Sequence, residues 1–217
     1  MKTIRIITIS LLTLFVCGCG SFNPQYRNVT GTQLYNDGKY AEALQAFQSA
    51  IEANPNDADG YYNIAAVHHH IAQISKDKSQ YLQAEQNYVR CLDINPNHVS
   101  AYRGLSVWLM EHGDKEKAFS LLQAWETANP TAADPKIELA RLYQEDGQIR
   151  KAIDTLVAAV ALDSQNARAY RALGALREEN SEFAQAISNY KSSLQFDPNQ
   201  PALADKIALL EARSKIY

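Results

Sequence analysis

Two landmarks recur along this chain at one pitch, and that periodicity limits the fold more than any single motif does. Pro55, Pro96, Pro130, Ser164 and Pro198 are separated by 41, 34, 34 and 34 residues. Ala43, Ala84, Ala118, Ala152 and Ala186 keep the same steps. A period of this size denotes a repeated unit that cannot bury its apolar face alone and stacks on its neighbours. The copy at 167–200 shows the physics. Tyr170 and Leu173 give a first helix its apolar stripe. Gly174 and Ala186 are small enough for two helix backbones to approach, and Tyr190 fills the space beside them. Asp197-Pro198 ends the second helix, because proline has no N–H and clashes with the preceding turn.

The period, the helix–turn–helix unit and these landmarks resemble the tetratricopeptide repeat (TPR) family over about residues 24–200. The resemblance implies an all-α chain: a right-handed superhelical α-solenoid of five helix hairpins, at 24–57, 58–98, 99–132, 133–166 and 167–200. The 41-residue step gives the second repeat seven extra residues around Ile71–Gln80, about two helical turns. These are expected to lengthen the hairpin into a tip bearing Lys76, Asp77 and Lys78. The first helix of repeat one is weak, with Val29-Thr30-Gly31-Thr32 inside it. Residues 201–217 carry Ala204, Ile207, Ala208 and Leu210 at helical spacing and are expected to cap the array. Trp125 stands where a small residue is usual, and Lys136 where Tyr61, Tyr102 and Tyr170 stand elsewhere. That combination suggests an exchange of volume between neighbouring repeats.

Residues 1–18 have the form of a secretory leader, with Lys2 and Arg5 ahead of an apolar run too short to span a bilayer. The run ends Val16-Cys17-Gly18-Cys19, which resembles a bacterial lipobox with valine in place of the usual leucine. The resemblance implies cleavage before Cys19 and its acylation; two or more acyl chains hold a protein stably on a membrane. Gly20 after the cysteine, by resemblance to proteobacterial sorting, implies the outer membrane of the bacterial envelope, facing the periplasm. Residues 20–23 form a linker that reaches about 14 Å at full extension.

The remaining numbers narrow the function. Without the leader the chain has 19 basic and 24 acidic residues, a net charge of −5, which argues against nucleic acid as a partner. Cys91 is then the one thiol besides Cys19, so no disulfide framework forms, and its place in the repeat is that of a small buried residue. There is no phosphate loop, nucleophile elbow or His-Glu-x-x-His, and the repeats leave no room for a catalytic domain. No enzyme activity, cofactor or metal is expected. His68, His69 and His70 are consecutive, so on a helix they diverge and cannot share one metal ion.

Recognition is what remains. In the TPR family the first helices line a concave groove. Carried over by repeat position, the groove includes Asn28, Thr32, Tyr62, Asn63, His69, His70, Arg103, Met110, Arg141, Arg168 and Arg171. Its first half is aromatic and amide-rich, and its second half has four arginines. Arg141 has Glu138 and Glu145 on its own helix face and is expected to form a solvated pair. Arg103, Arg168 and Arg171 have no acid four residues on; they are open to an acidic segment, or to a cross-repeat pair such as Glu138 with Arg171. Asn63 matches the middle asparagine of the clamp with which some TPR proteins hold a terminal carboxylate, but the clamp's basic neighbours are missing. In lipobox plus repeats the chain resembles the pilotins of type IV pilus systems and the repeat lipoproteins of envelope assembly. The implied role is a membrane-anchored adaptor for a protein or peptide partner; the alternative is a structural lipoprotein that associates with copies of itself.

Overall fold

A computed structural model describes residues 24–214; the leader, Cys19 and the linker lie outside these described residues. The helices come in pairs: α1 (Pro24–Asn36) and α2 (Tyr40–Ala53), α3 (Ala58–Ser75) and α4 (Lys78–Ile94), α5 (Val99–Glu111) and α6 (Lys115–Ala128), α7 (Asp134–Glu145) and α8 (Ile149–Leu162), α9 (Ala167–Glu179) and α10 (Phe183–Phe196). A single helix, α11 (Pro201–Ser214), follows. The chain is an all-α solenoid of paired hairpins capped by a terminal helix.

Turn chemistry sets this pattern. Within hairpins the chain reverses at Gly38, Gly113 and Gly147, with φ of 75°, 78° and 75°, a region glycine enters without steric cost. Between hairpins the helix-ending Asn or Asp accepts a hydrogen bond from the N–H two residues on: Asn54, Asn95, Asp163 and Asp197 do so at 3.2, 3.1, 3.2 and 3.1 Å. The Asp163 bond explains how Ser164 stands where other repeats have proline. The side-chain turn ends the helix, and the proline reinforces it.

Stacking sets the curvature. Every helix packs on the next in sequence, and in addition α1 packs on α3, α3 on α5, α5 on α7 and α7 on α9. The second helices make no equivalent approach to one another. The first helices are therefore crowded together on the inner side of a curved array. One step breaks this rule: no Cα of α9 comes within 8 Å of a Cα of α11.

Small residues let the helices close. A Cβ on Gly31 would lie 2.4 Å from the Phe47 ring, and one on Gly174 would lie 2.6 Å from the Tyr190 ring. By propensity Gly31 weakens α1; in the structure it is the seat of the Phe47 ring, and α1 is helical through it. Repeat two differs, because the Tyr88 ring leans over Gly104 of the next repeat, 2.5 Å from where a Cβ would be. Gly104→Ala should therefore cost about 1–3 kcal/mol in urea unfolding, since the buried ring has to shift. Unchanged stability would mean that the ring has room to move.

The second hairpin has the longest helices. α3 and α4 have 18 and 17 residues, against 12–14 in the other paired helices. Lys76 turns the chain, and Asp77 caps α4 by accepting from the Ser79 N–H at 2.8 Å. Trp125 is buried, but its partner is not the one expected. Its ring stacks on Tyr102 of its own hairpin, with centroids 4.1 Å apart and planes 7° from parallel. Lys136 leaves no hole to fill, since its ammonium pairs with Glu126. Cys91 is fully buried, and burial pushes its thiol up to about 12, so it is no nucleophile at neutral pH.

Candidate functional site

The inner face carries three hollows, and neighbouring ones share lining residues. The first, about 650 Å³, lies across α1, α3 and the start of α5, with Asn28, Thr32, Asp59, Tyr62, Asn63 and His98 in its walls. His98 caps α5: its Nδ1 accepts from the Ala101 N–H at 3.0 Å. The hydrogen of the neutral ring is then on Nε2, which donates to Asp59 Oδ1 at 3.0 Å. Asn28 Nδ2 donates to Asp57 at 2.6 Å. Tyr62 and Asn63 are half-buried, and Tyr62 lies 5.1 Å from the His98 ring, between centroids.

The middle hollow, about 270 Å³, continues through Tyr62 and Ser100 to Arg103 and is walled by Tyr35, His69, His70 and Tyr88. Here the three consecutive histidines part company. His68 Nδ1 meets Gln80 at 2.7 Å and His70 Nε2 meets the Tyr40 hydroxyl at 2.8 Å. His69, expected to face a partner, is 6% exposed and tied to Glu111 at 2.9 Å and to the Tyr88 hydroxyl at 3.3 Å. It links one repeat to the next and has little surface left for a ligand. Among the described residues no three His, Cys, Asp or Glu side chains are placed to share a metal ion.

The third hollow is about 670 Å³ and opens where α11 stands away from α9. At its edge Glu138 is 0% exposed and accepts from three arginines. Arg103 donates to it through Nε and Nη2 at 2.9 and 2.6 Å, Arg168 through Nη2 at 2.9 Å, and Arg141 through Nε at 3.2 Å. Arg141 also donates to Ser106 Oγ at 2.7 Å and to Glu145. Burial alone would raise the Glu138 carboxyl, but the hydrogen bond and charge of Arg103, with the charges of Arg168 and Arg141, outweigh it and hold it below the usual range. The solvated pair expected for Arg141 and Glu138 is instead a buried junction of three repeats. The cross-repeat partners of Glu138 are Arg103 and Arg168, not Arg171. Arg171 is exposed and touches Gln200 at 3.4 Å. Met110 is half-buried against the central core and lines none of the three hollows.

Profiles described as TPR repeat or tetratricopeptide repeat match residues 31–71, 65–98 and 109–176. The chain belongs to the tetratricopeptide repeat family. This TPR chain is similar in structure to a thermophilic TPR protein of Thermus thermophilus, with 25% identity and a TM-score of 0.64 over 87% of this chain and 99% of the other. A tetratricopeptide repeat protein of Parabacteroides merdae shares the fold at 16% identity and a TM-score of 0.64, over 87% and 71% of the two chains. In sequence it is 25% identical over 199 residues to the peroxisomal targeting signal receptor of Kluyveromyces lactis, covering 88% of this chain and 33% of that protein. It is also 25% identical over 191 residues to the human protein O-mannosyl-transferase TMTC1, covering 85% and 21%. The TPR chain thus spans a third or less of the length of these two relatives.

The fold is that of a binding scaffold, and its groove contains residues that periodicity alone passes over. His98 and Asp59 occupy turn and helix-start positions, outside the repeat positions from which a groove is read. Gln200, Leu203 and Lys206 come from the linker before α11 and from α11 itself. Continuing the repeat numbering into α11 puts Lys206 in phase with Asn63 and Glu138, the sixth residue of each repeat, so a signal for it was present.

Proposed function

We propose that this TPR chain is a membrane-anchored adaptor that holds an extended segment of a partner protein in its concave groove. The observation that carries the reading is the continuity of that groove. Tyr62 and Ser100 are shared by the first and middle hollows, and Arg103 by the middle and third, so one strand of polypeptide can pass all three. One relative is of that kind: a targeting signal receptor, by its name, receives a signal, and this chain aligns with part of one. The anchor rests on sequence. Cys19 in its lipobox context is the acylation site, with the outer membrane of a bacterial envelope as its location and the periplasm as the compartment of the repeats. In this reading the lipid on Cys19 makes the attachment; no helix among the described residues is long and apolar enough to cross a membrane.

A photo-crosslinking residue at Tyr62, compared with one at exposed Arg150 on α8, tests the reading in cells. A discrete adduct from Tyr62 alone, identified by mass spectrometry, is the expected result. Adducts to the chain itself, or from Arg150 only, would replace the adaptor with a self-associating envelope protein. For the anchor, Cys19→Ser should abolish labelling by an alkyne fatty acid and release the protein from membranes; retention in the membrane fraction would remove it.

A further inference from the structure

The groove arginines divide into two kinds, and the division identifies what the third hollow takes. Arg141 has every nitrogen engaged, with Glu138, Glu145 and Ser106. Arg168 spans Glu138 and Asp134, the latter at 3.2 Å. These two are fixed parts of the wall. Arg103 has given Nε and Nη2 to Glu138, which leaves its Nη1 edge unassigned on a side chain 46% exposed. Arg171 forms no ion pair among the described residues, and its one hydrogen bond there is the long one to Gln200. Burying Glu138 under its three partners holds Arg103 in place while spending only one negative charge. The lining contains five cationic side chains, with Lys206 the fifth, and Glu138 as its one carboxylate. Lys206 is itself paired with Glu178 at 2.8 Å.

The floor between these cations is apolar. Ile137, Ala172, Ala175 and Leu203 face the slot that forms because α11 does not close on α9. A guanidinium presents two parallel N–H groups that suit a carboxylate, and charge-assisted bonds of this kind are about twice as strong as neutral ones.

We infer that this hollow receives a carboxylate-bearing polypeptide segment, held by Arg171 and the free edge of Arg103, with a neighbouring apolar side chain seated between α9 and α11. The inference rests on the adaptor reading and specifies the chemistry of its ligand. The carboxylate comes from an acidic side chain or from a chain terminus, and both present the same group.

The test uses fluorescein-labelled octapeptides of leucine and alanine with two aspartates, two asparagines or two lysines, each with a free and with an amidated C-terminus. They are titrated against the full chain by fluorescence anisotropy. Aspartate peptides should bind at least tenfold more tightly than asparagine peptides. Arg171→Glu should remove that preference and leave the thermal unfolding midpoint unchanged, because Arg171 supports nothing else. Binding of the amidated aspartate peptide assigns the carboxylate to side chains. If only free termini bind, and asparagine peptides with a free terminus bind as well as aspartate ones, the terminus is the ligand, provided Arg171→Glu abolishes it. Equal binding of all peptides, no binding of any, or indifference to Arg171→Glu overturns the inference. A Tyr62 adduct in cells together with any of those results leaves the adaptor standing and removes only its acidic ligand.

Discussion

Glu138→Ala should lower the stability of the chain by about 3 kcal/mol in urea unfolding. Removing one member of a buried ion pair costs about 3–5 kcal/mol, because the partner is left without its counter-charge. The lower end applies here, since the arginine side chains keep 46%, 32% and 22% of their surface and water screens them in part. The loss should also be uneven along the array. Glu138 joins α7 to α5 and α9, so amide exchange should quicken first across 134–214 while α2 to α4 keep their protection. A change under 1 kcal/mol would show that Asp134 and Glu145 can replace Glu138 as counter-charges. Glu138→Gln adds a pH arm. The folded carboxyl titrates below the usual 4.5, so its contribution is fully present above that value and is lost as pH falls through the lower folded value. The stability gap between wild type and Glu138→Gln should be constant from pH 8 to about 5.5 and shrink below about 4.5.

Residues that answer to the period were legible in the sequence, and residues that answer to partners one repeat away were not. Ala43 and its equivalents are all fully buried because each sits where two helices touch, a constraint that every copy must meet. The seven extra residues of repeat two kept their phase for the same reason. Glu138 shows the limit. Acid on a helix surface is ordinarily solvated; inspection along one helix finds only Arg141 for it, and the cross-repeat partner considered for it, Arg171, is not the one it has. Its decisive partners lie 35 and 30 residues away, about one repeat on either side. The phase contained the clue, since Arg103 is equivalent to Ile137, the immediate neighbour of Glu138. His69 escaped for a similar reason: Glu111, 42 residues on, turns a groove histidine into a tie between repeats. The four arginines of the third hollow were legible as groove residues, but its far wall, with Gln200, Leu203 and Lys206, escaped because helical spacing in 201–217 denotes only a cover for the array. The departure of α11 from α9 is a matter of backbone placement, which no spacing in the sequence expresses.

Trp125→Ala should be the most damaging single substitution in the central repeats, at about 4 kcal/mol. Truncating a buried tryptophan ring costs about 3–5 kcal/mol, from lost transfer free energy and the cavity left behind. Trp125 is 3% exposed and belongs to the central core cluster of the array, so its removal leaves a void in that core. Two further losses accompany it. The near-parallel stack on Tyr102 disappears, which is worth about 0.5–1.5 kcal/mol beyond the area. Asn97 Oδ1, in the turn that leads into α5, loses the indole N–H that donates to it at 3.2 Å. Trp125→Phe separates these terms, because it keeps a ring over Tyr102 and removes only the donor and part of the volume. It should cost about 1–2 kcal/mol. In a double-mutant cycle with Tyr102→Ala, the coupling should be about 1 kcal/mol. If the cycle gives no coupling while Trp125→Ala still costs about 4 kcal/mol, the tryptophan acts by volume alone. If Trp125→Ala costs less than about 1 kcal/mol, the neighbouring leucines can close over the site, and the small residue found here in other repeats would serve equally well.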